Sequence, residues 1–94
     1  MTALFDWDLA KDEENQRKHG VAFREAQLAF LDPCCVIARD IDHSIGEEQF
    51  FCFGKVAGHL LTVRFTYRSG VVRIFGAGYW RKGRRVYEAI QGIH

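Results

Sequence analysis

Two different rhythms of apolar and polar residues divide this chain. Residues 9–19, LAKDEENQRKH, are polar almost throughout, with acids first (Asp12, Glu13, Glu14) and bases last (Arg17, Lys18, His19). That order complements a helix dipole at both ends, and Asp8 and Gly20 are residue types that cap a helix. The pattern predicts a first helix over about 9–19. VAFREAQLAFLDP then places Phe23, Ala26 and Phe30 on one helical face and stops at Pro33. A shorter second helix over about 22–31 is expected there. The FDW before the first helix is long enough only for an edge strand.

From Cys34 onward the period is two. CCVIARDI and EQFFCFGKV read as strands separated by the polar loop DHSIGE, with Ala57-Gly58 as a turn. HLLTVRFTY alternates, so that Leu61, Val63, Phe65 and Tyr67 point one way and Thr62, Arg64, Thr66 and Arg68 the other. Ser69-Gly70 suits a two-residue hairpin turn, which would pair Arg68 with Val71 and Thr66 with Arg73. Arg64, Arg68 and Arg73 then share a sheet face with Phe75. Val63, Phe65, Val72 and Ile74 make the opposite face apolar and should receive the helices. WRKGRRVYEAI predicts a third helix, weakened by Gly83. The expected fold is α+β: a short N-terminal strand, two helices, a four-stranded, mainly antiparallel sheet and a C-terminal helix. Helices cover one side of that sheet, in a single domain spanning residues 1–94.

Charge changes this picture more than composition does. The formal net charge is only +1, yet residues 1–62 carry six Lys and Arg against eleven Asp and Glu, a balance of −5. Residues 63–94 carry seven against one, a balance of +6. Such segregation suggests an electropositive face for an anionic partner, or else a basic half neutralised by the acidic half. The residue types favour the first reading. Arg64, Arg68, Arg73, Arg81 and Lys82 suit several phosphates, and Tyr67, Phe75, Tyr79 and Trp80 lie among them as stacking surfaces for single-stranded bases.

Other signals are weak. The three cysteines include the adjacent pair Cys34 and Cys35, read as free thiols buried in a strand, and no paired spacing suits zinc. GAGYWR has Arg81 where a dinucleotide fingerprint needs its third glycine. Asp40, Asp42 and His43 fit no familiar metal cage, and His43 is expected to fix its loop by hydrogen bonding. No apolar run could span a bilayer, and the N-terminus lacks a signal-peptide pattern, so a cytoplasmic location is expected.

FDWDLAKDEENQRKHGVAFREA, then DIDHSIGEE, then LTVRFTYRSGVVRIFGA together resemble the BrnT family of toxins from type II toxin–antitoxin pairs. The resemblance implies a RelE-like fold and cleavage of mRNA without metal or cofactor, arresting growth. It also implies a small antitoxin, BrnA, that neutralises the toxin and carries the operator-DNA contact, and it allows for a homodimer within the complex. The chain departs from the family pattern at three places. Gly78 stands where the family has a second arginine, Gly83 replaces a helix glutamate, and Gln49 replaces an arginine after the Glu47-Glu48 pair. The loss at Gly78 leaves open a catalytically weak toxin that serves as an antitoxin-binding co-repressor.

Metal-free RNA hydrolysis begins with attack of the 2′-hydroxyl on its own phosphate. It needs a proton acceptor, cations around the phosphorane and an acid for the leaving oxygen. The expected assignment gives the phosphorane charge to Arg68 and Arg73, and acid or base duty to His19. Lys18, Arg64, Arg81 and Lys82 hold the strand, and Tyr79 or Trp80 stacks a base. This assignment expects residues 64, 68 and 73 to form a bare cationic platform.

Overall fold

In the computed structural model, which describes residues 4–92, the first helix begins where the Asp8 carboxylate accepts the backbone N–H groups of Ala10 and Lys11. Helix α1 spans Leu9–His19 and ends on Gly20, which adopts a left-handed φ of 68°. Just before it, β1 (Phe5–Trp7) turns Phe5 and Trp7 towards the core. Helix α2 is shorter than expected, Phe23–Ala26, and passes into a 3₁₀ turn at Gln27–Leu31. Asp12 accepts the Phe23 N–H, which fixes the angle between α1 and α2. Buried Asn15 ties α1 to the sheet: its amide donates to the carbonyls of Val21 and Ala77 and accepts the Ala77 N–H.

Strands β2 (Val36–Arg39), β3 (Phe50–Val56), β4 (His59–Arg68) and β5 (Val71–Gly78) follow. Both hairpin turns have positive φ at their two central residues: 51° and 82° at Ala57-Gly58, 52° and 79° at Ser69-Gly70. This geometry matches the twist of the flanking strands. The expected pairs Arg68–Val71 and Thr66–Arg73 both form. Further along, Phe65 pairs with Ile74 and Arg64 with Gly76, so Phe75 is the extra residue of a bulge instead of the partner of Arg64.

The sheet has five strands, not four. Its order is β1-β5-β4-β3-β2, with β1 parallel to β5 and every other pair antiparallel. On the inner face Cys52, Leu61, Val63, Phe65, Val72, Ile74 and Ala77 pack against Val21, Phe23, Ala26 and Ala29 from the helical layer. Removing these apolar groups from water is the main force holding the fold.

Helices lie on both faces of the sheet, which corrects the one-sided expectation. Helix α3 (Arg81–Gln91) crosses the outer face, where Gly83 meets Thr62 and Phe53. The reason is written in β3, whose FFCF run is apolar on both faces and needs cover on both. Gly83, Val86 and Tyr87 form the stripe that supplies it on the outer side. Tyr87 also donates to Asp32, and Gln91 to the Cys34 carbonyl, so α3 is anchored at its far end. Cys34 is exposed and Cys35 half-buried, because the strand starts only at Val36; Cys52 alone is fully buried. Tyr67 stands on the inner side but beyond the helical layer, edge-on to Phe50 and Phe65 and half-exposed.

Candidate functional site

Period-two alternation brings Arg64, Arg68 and Arg73 to the outer face, as expected, but the platform they make is not bare. Arg68 forms a two-pronged pair with Glu47, Nε to Oε2 at 2.9 Å and Nη2 to Oε1 at 3.2 Å. Arg73 donates to Asp6. The pairing follows from two long-range arrangements. Parallel pairing of β1 sets Asp6 directly opposite Arg73. The loop before β3 runs back beside β4, where Thr66 Oγ1 donates to the Glu48 carbonyl at 2.6 Å and brings Glu47 next to Arg68. The hydrogen bond from Arg68, followed by its charge, holds the Glu47 carboxyl below the usual carboxylate range. Arg64 differs from both. Its guanidinium lies 5.2 Å from the centroid of the bulged Phe75 ring, and it makes no ion pair among the described residues.

Beside Arg64 lies a groove of about 350 Å³. It is lined by Phe51, Phe53 and Thr62 from the sheet, by Asp40 and His43 from the loop after β2, and by Trp80, Lys82 and Gly83 from the start of α3. Helix α3 therefore covers only part of the outer face and leaves a trough along its own N-terminal end. Lys82, like Arg64, makes no ion pair among the described residues. Two free cations thus border a floor of aromatic rings.

The loop that contributes Asp40 and His43 is built around a buried carboxylate. His43 closes a 3₁₀ turn, Ile41–His43, and its Nδ1 sits 2.9 Å from Oδ2 and 3.1 Å from Oδ1 of Asp40. Asp40 is only 5% exposed, whereas the His43 side chain is 62% exposed. The Ser44 hydroxyl donates to the Asp40 carbonyl and accepts the Gln49 N–H, and the Asp40 N–H donates to the Gln49 carbonyl. The loop is therefore held at several points. An ionised carboxylate can only accept, so towards that form of Asp40 the Nδ1 of His43 is the donor, and Nε2 is the ring nitrogen without a partner among the described residues. The sequence suggested a loop-fixing bond for this histidine and missed that it borders a groove. The available signal was the Asp40-x-x-His43 spacing, which joins both side chains across one 3₁₀ turn.

A second, wider groove of about 830 Å³ lies on the other side of Trp80. Tyr79, Arg81 and Arg84 border it, together with Lys55 and His59. The expected nucleic-acid residues are thus divided. Arg64 and Lys82 line the first groove, Tyr79 and Arg81 the second, and Trp80 both. Tyr79 donates weakly to Glu25, and burial, reinforced by that carboxylate, pushes its hydroxyl pKa up. His19 meets Trp80 edge-on, with ring centroids 5.3 Å apart, but lines neither groove. Lys18 is paired with Glu14 at 2.6 Å on the exposed side of α1.

Trp80 owes its position to Gly78. A Cβ at Gly78 would sit 2.6 Å from Cε2 and 2.7 Å from Cζ2 of the indole, so a side chain there and the ring in its present place exclude each other. Where the family pattern has an arginine, this chain fills the space with an aromatic ring from two residues further on.

Comparison with known families decides the identity. The model of the ribonuclease toxin, BrnT, of type II toxin–antitoxin systems matches residues 7–83. This chain belongs to the BrnT family. It is a ribonuclease toxin whose target is RNA and whose partner is an antitoxin, and the match lends no support to a catalytically silent co-repressor. No curated protein matches the sequence. Much of the BrnT pattern at the N-terminus turns out to be scaffolding. Asp8 caps α1, Asn15 pins it to β5, Gly20 ends it, and Trp7 and Val21 enter the core. The matched stretch runs through Trp80 and Lys82 to Gly83, so it also takes in the groove.

Proposed function

We propose that this toxin cleaves single-stranded mRNA in the groove bordered by Arg64, His43, Trp80 and Lys82, through attack of a 2′-hydroxyl and without a metal ion. One observation carries the reading: Arg64 and Lys82, free of ion pairs among the described residues, flank a floor of Phe51 and Phe53 beside the Trp80 indole. Phosphates need cations, and unpaired bases need rings on which to stack; the residues lining this trough include both. Arg64 is the better partner for the phosphorane, because its planar fork matches two phosphate oxygens and Phe75 supports it from beneath. Lys82 supplies a second positive charge, and Trp80 stacks the neighbouring base.

Arg68 and Arg73 take a changed role in this reading. Each already serves a carboxylate, so they extend the positive strip beyond the groove and meet phosphates of the flanking strand through their remaining N–H groups. Tyr79 and Arg81 receive the strand on the far side of Trp80. His19 and Lys18 stand at the edge, where His19 steadies the indole. A RelE-like relationship fits the order of elements. Among the described residues no helix is long and apolar enough to cross a membrane. A cytoplasmic toxin, neutralised by a BrnA-like antitoxin that covers this face and itself contacts operator DNA, completes the reading.

The test is cleavage of an RNA oligonucleotide by the purified toxin in excess chelator. Cleavage should persist, leave 2′,3′-cyclic phosphate ends, and vanish at any position whose 2′-hydroxyl is replaced by hydrogen. Loss of cleavage with the chelator, restored by added magnesium, would refute the metal-free mechanism.

A further inference from the structure

The reaction just described lacks a proton acceptor, because neither Arg64 nor Lys82 can act as one in its charged form. The geometry points to His43, held by Asp40, as the base that removes the proton from the 2′-hydroxyl. The inference rests on the groove reading above and deepens it. His43 lines the groove together with Arg64, Trp80, Lys82 and Gly83. Its Nδ1 is taken by a carboxylate that is 5% exposed. That bond orients the ring of a side chain that is itself exposed, and in the tautomer that donates from Nδ1 the other nitrogen, Nε2, is free to take a proton. A buried carboxylate is costly to maintain without compensating partners. This one accepts from His43, and the loop around it is braced by Ser44 and Gln49. Holding an imidazole in one tautomer and one orientation is what a carboxylate does for a histidine base elsewhere in enzymology.

Nε2 takes the 2′-hydroxyl proton as the 2′-oxygen forms its bond to phosphorus. The bond from phosphorus to the 5′-oxygen breaks, and that oxygen takes a proton from water in the open groove. The hydroxide left behind is neutralised by the proton on His43. The products are a 2′,3′-cyclic phosphate and a free 5′-hydroxyl, and the imidazole returns to its starting form. Asp40 positions His43 and does not touch the substrate.

Three variants test this: His43→Ala, His43→Asn, and the double variant Arg64→Ala/Lys82→Ala. Asparagine can keep a hydrogen bond to Asp40 but cannot take a proton. Both His43 variants should cleave RNA about 100-fold or more slowly than the parent with RNA affinity unchanged; His43→Asn should keep the parent's melting temperature, whereas His43→Ala, which strips Asp40 of its side-chain partner, should lower it. Added imidazole should restore part of the activity of His43→Ala and none of that of the double variant. Normal cleavage by His43→Asn overturns the inference. So does a loss in His43→Ala that imidazole cannot rescue, since it would assign the side chain to holding the loop. In either case a double variant that binds and cleaves poorly leaves the groove reading standing, whereas a fully active double variant removes the groove itself.

Discussion

The indole of Trp80 occupies the space that a side chain on Gly78 would need, with the hypothetical Cβ 2.6 Å from Cε2. Two opposed effects meet in Gly78→Ala. Replacing glycine in a strand is favourable by roughly 0.5–1 kcal/mol, while overpacking a closed space costs about 1–3 kcal/mol. The overlap lies against a rigid ring, so the cost should win. Urea denaturation should show a net loss of about 1–2 kcal/mol, and tryptophan fluorescence should report a more solvated indole. RNA affinity should fall with it, because the stacking surface has moved. An alanine variant that folds and binds as well as the parent would separate Trp80 from the site.

Gly83 presents the same conflict on a helix. Alanine there gains about 1 kcal/mol in helix propensity. Its Cβ, however, would lie 1.9 Å from Thr62 Oγ1 and 3.0 Å from Phe53 Cδ1, so α3 must lift from the sheet. Gly83→Ala should therefore destabilise by up to about 2 kcal/mol net of its better propensity. The Thr62 hydroxyl is buried without a hydrogen-bond partner among the described residues, so Thr62→Ala alone should cost little. The double variant should be more stable than the sum of the two, measured as a coupling in a double-mutant cycle.

Asp32 and Tyr87 give stability opposite dependences on pH. Asp32 accepts the Lys55 N–H, the Cys34 N–H and the Tyr87 hydroxyl, each at 2.9 Å. The Lys55 N–H, chief among these, pulls the Asp32 pKa below its ordinary value. Burial, with the bond to Asp32, pushes Tyr87 up to about 12. A lowered carboxyl pKa adds stability that is present above the unfolded value, about 3.9, and lost as pH falls through the folded one. A raised phenol pKa adds stability that is present below about 10 and lost as pH rises towards the folded value. Melting temperature should thus fall below about pH 4 and again above about pH 10. Asp32→Asn should flatten the acid limb and Tyr87→Phe the alkaline limb. Unchanged limbs in both variants would show that other groups set the profile.

The parts of the fold legible in the sequence are those whose cause is local. Asp8, the charge order of α1 and Gly20 act within one helix, and both ends of α1 fall where those residues place them. The Ser69-Gly70 turn fixes the pairing of its own flanking residues, so Thr66–Arg73 could be read directly. What escaped was non-local. Three residues of β1 carry no period, and nothing near Asp6 announces a strand partner more than sixty positions away. The bulge at Phe75 interrupts a strict alternation, and its local mark is the glycine that follows it, Gly76. For the site, the face bearing the arginines was legible, but their carboxylate partners and the His43–Asp40 pair depended on how loops return to the sheet. The apolar FFCF run of β3 was the signal for a helix on the outer face, and that helix creates the groove.

The most direct test of the groove as the RNA site is a comparison of two charge-matched variants. Arg64→Ala/Lys82→Ala removes two positive charges from the groove, and Arg17→Ala/Arg24→Ala removes two from the helices α1 and α2. Cleavage of a single-stranded RNA oligonucleotide should fall about 100-fold or more in the groove variant, which should also show a shallower salt dependence of binding. The helix variant should stay within about threefold of the parent, since only screened long-range attraction is lost. Equal losses in the two variants, or full activity in the groove variant, would contradict the account.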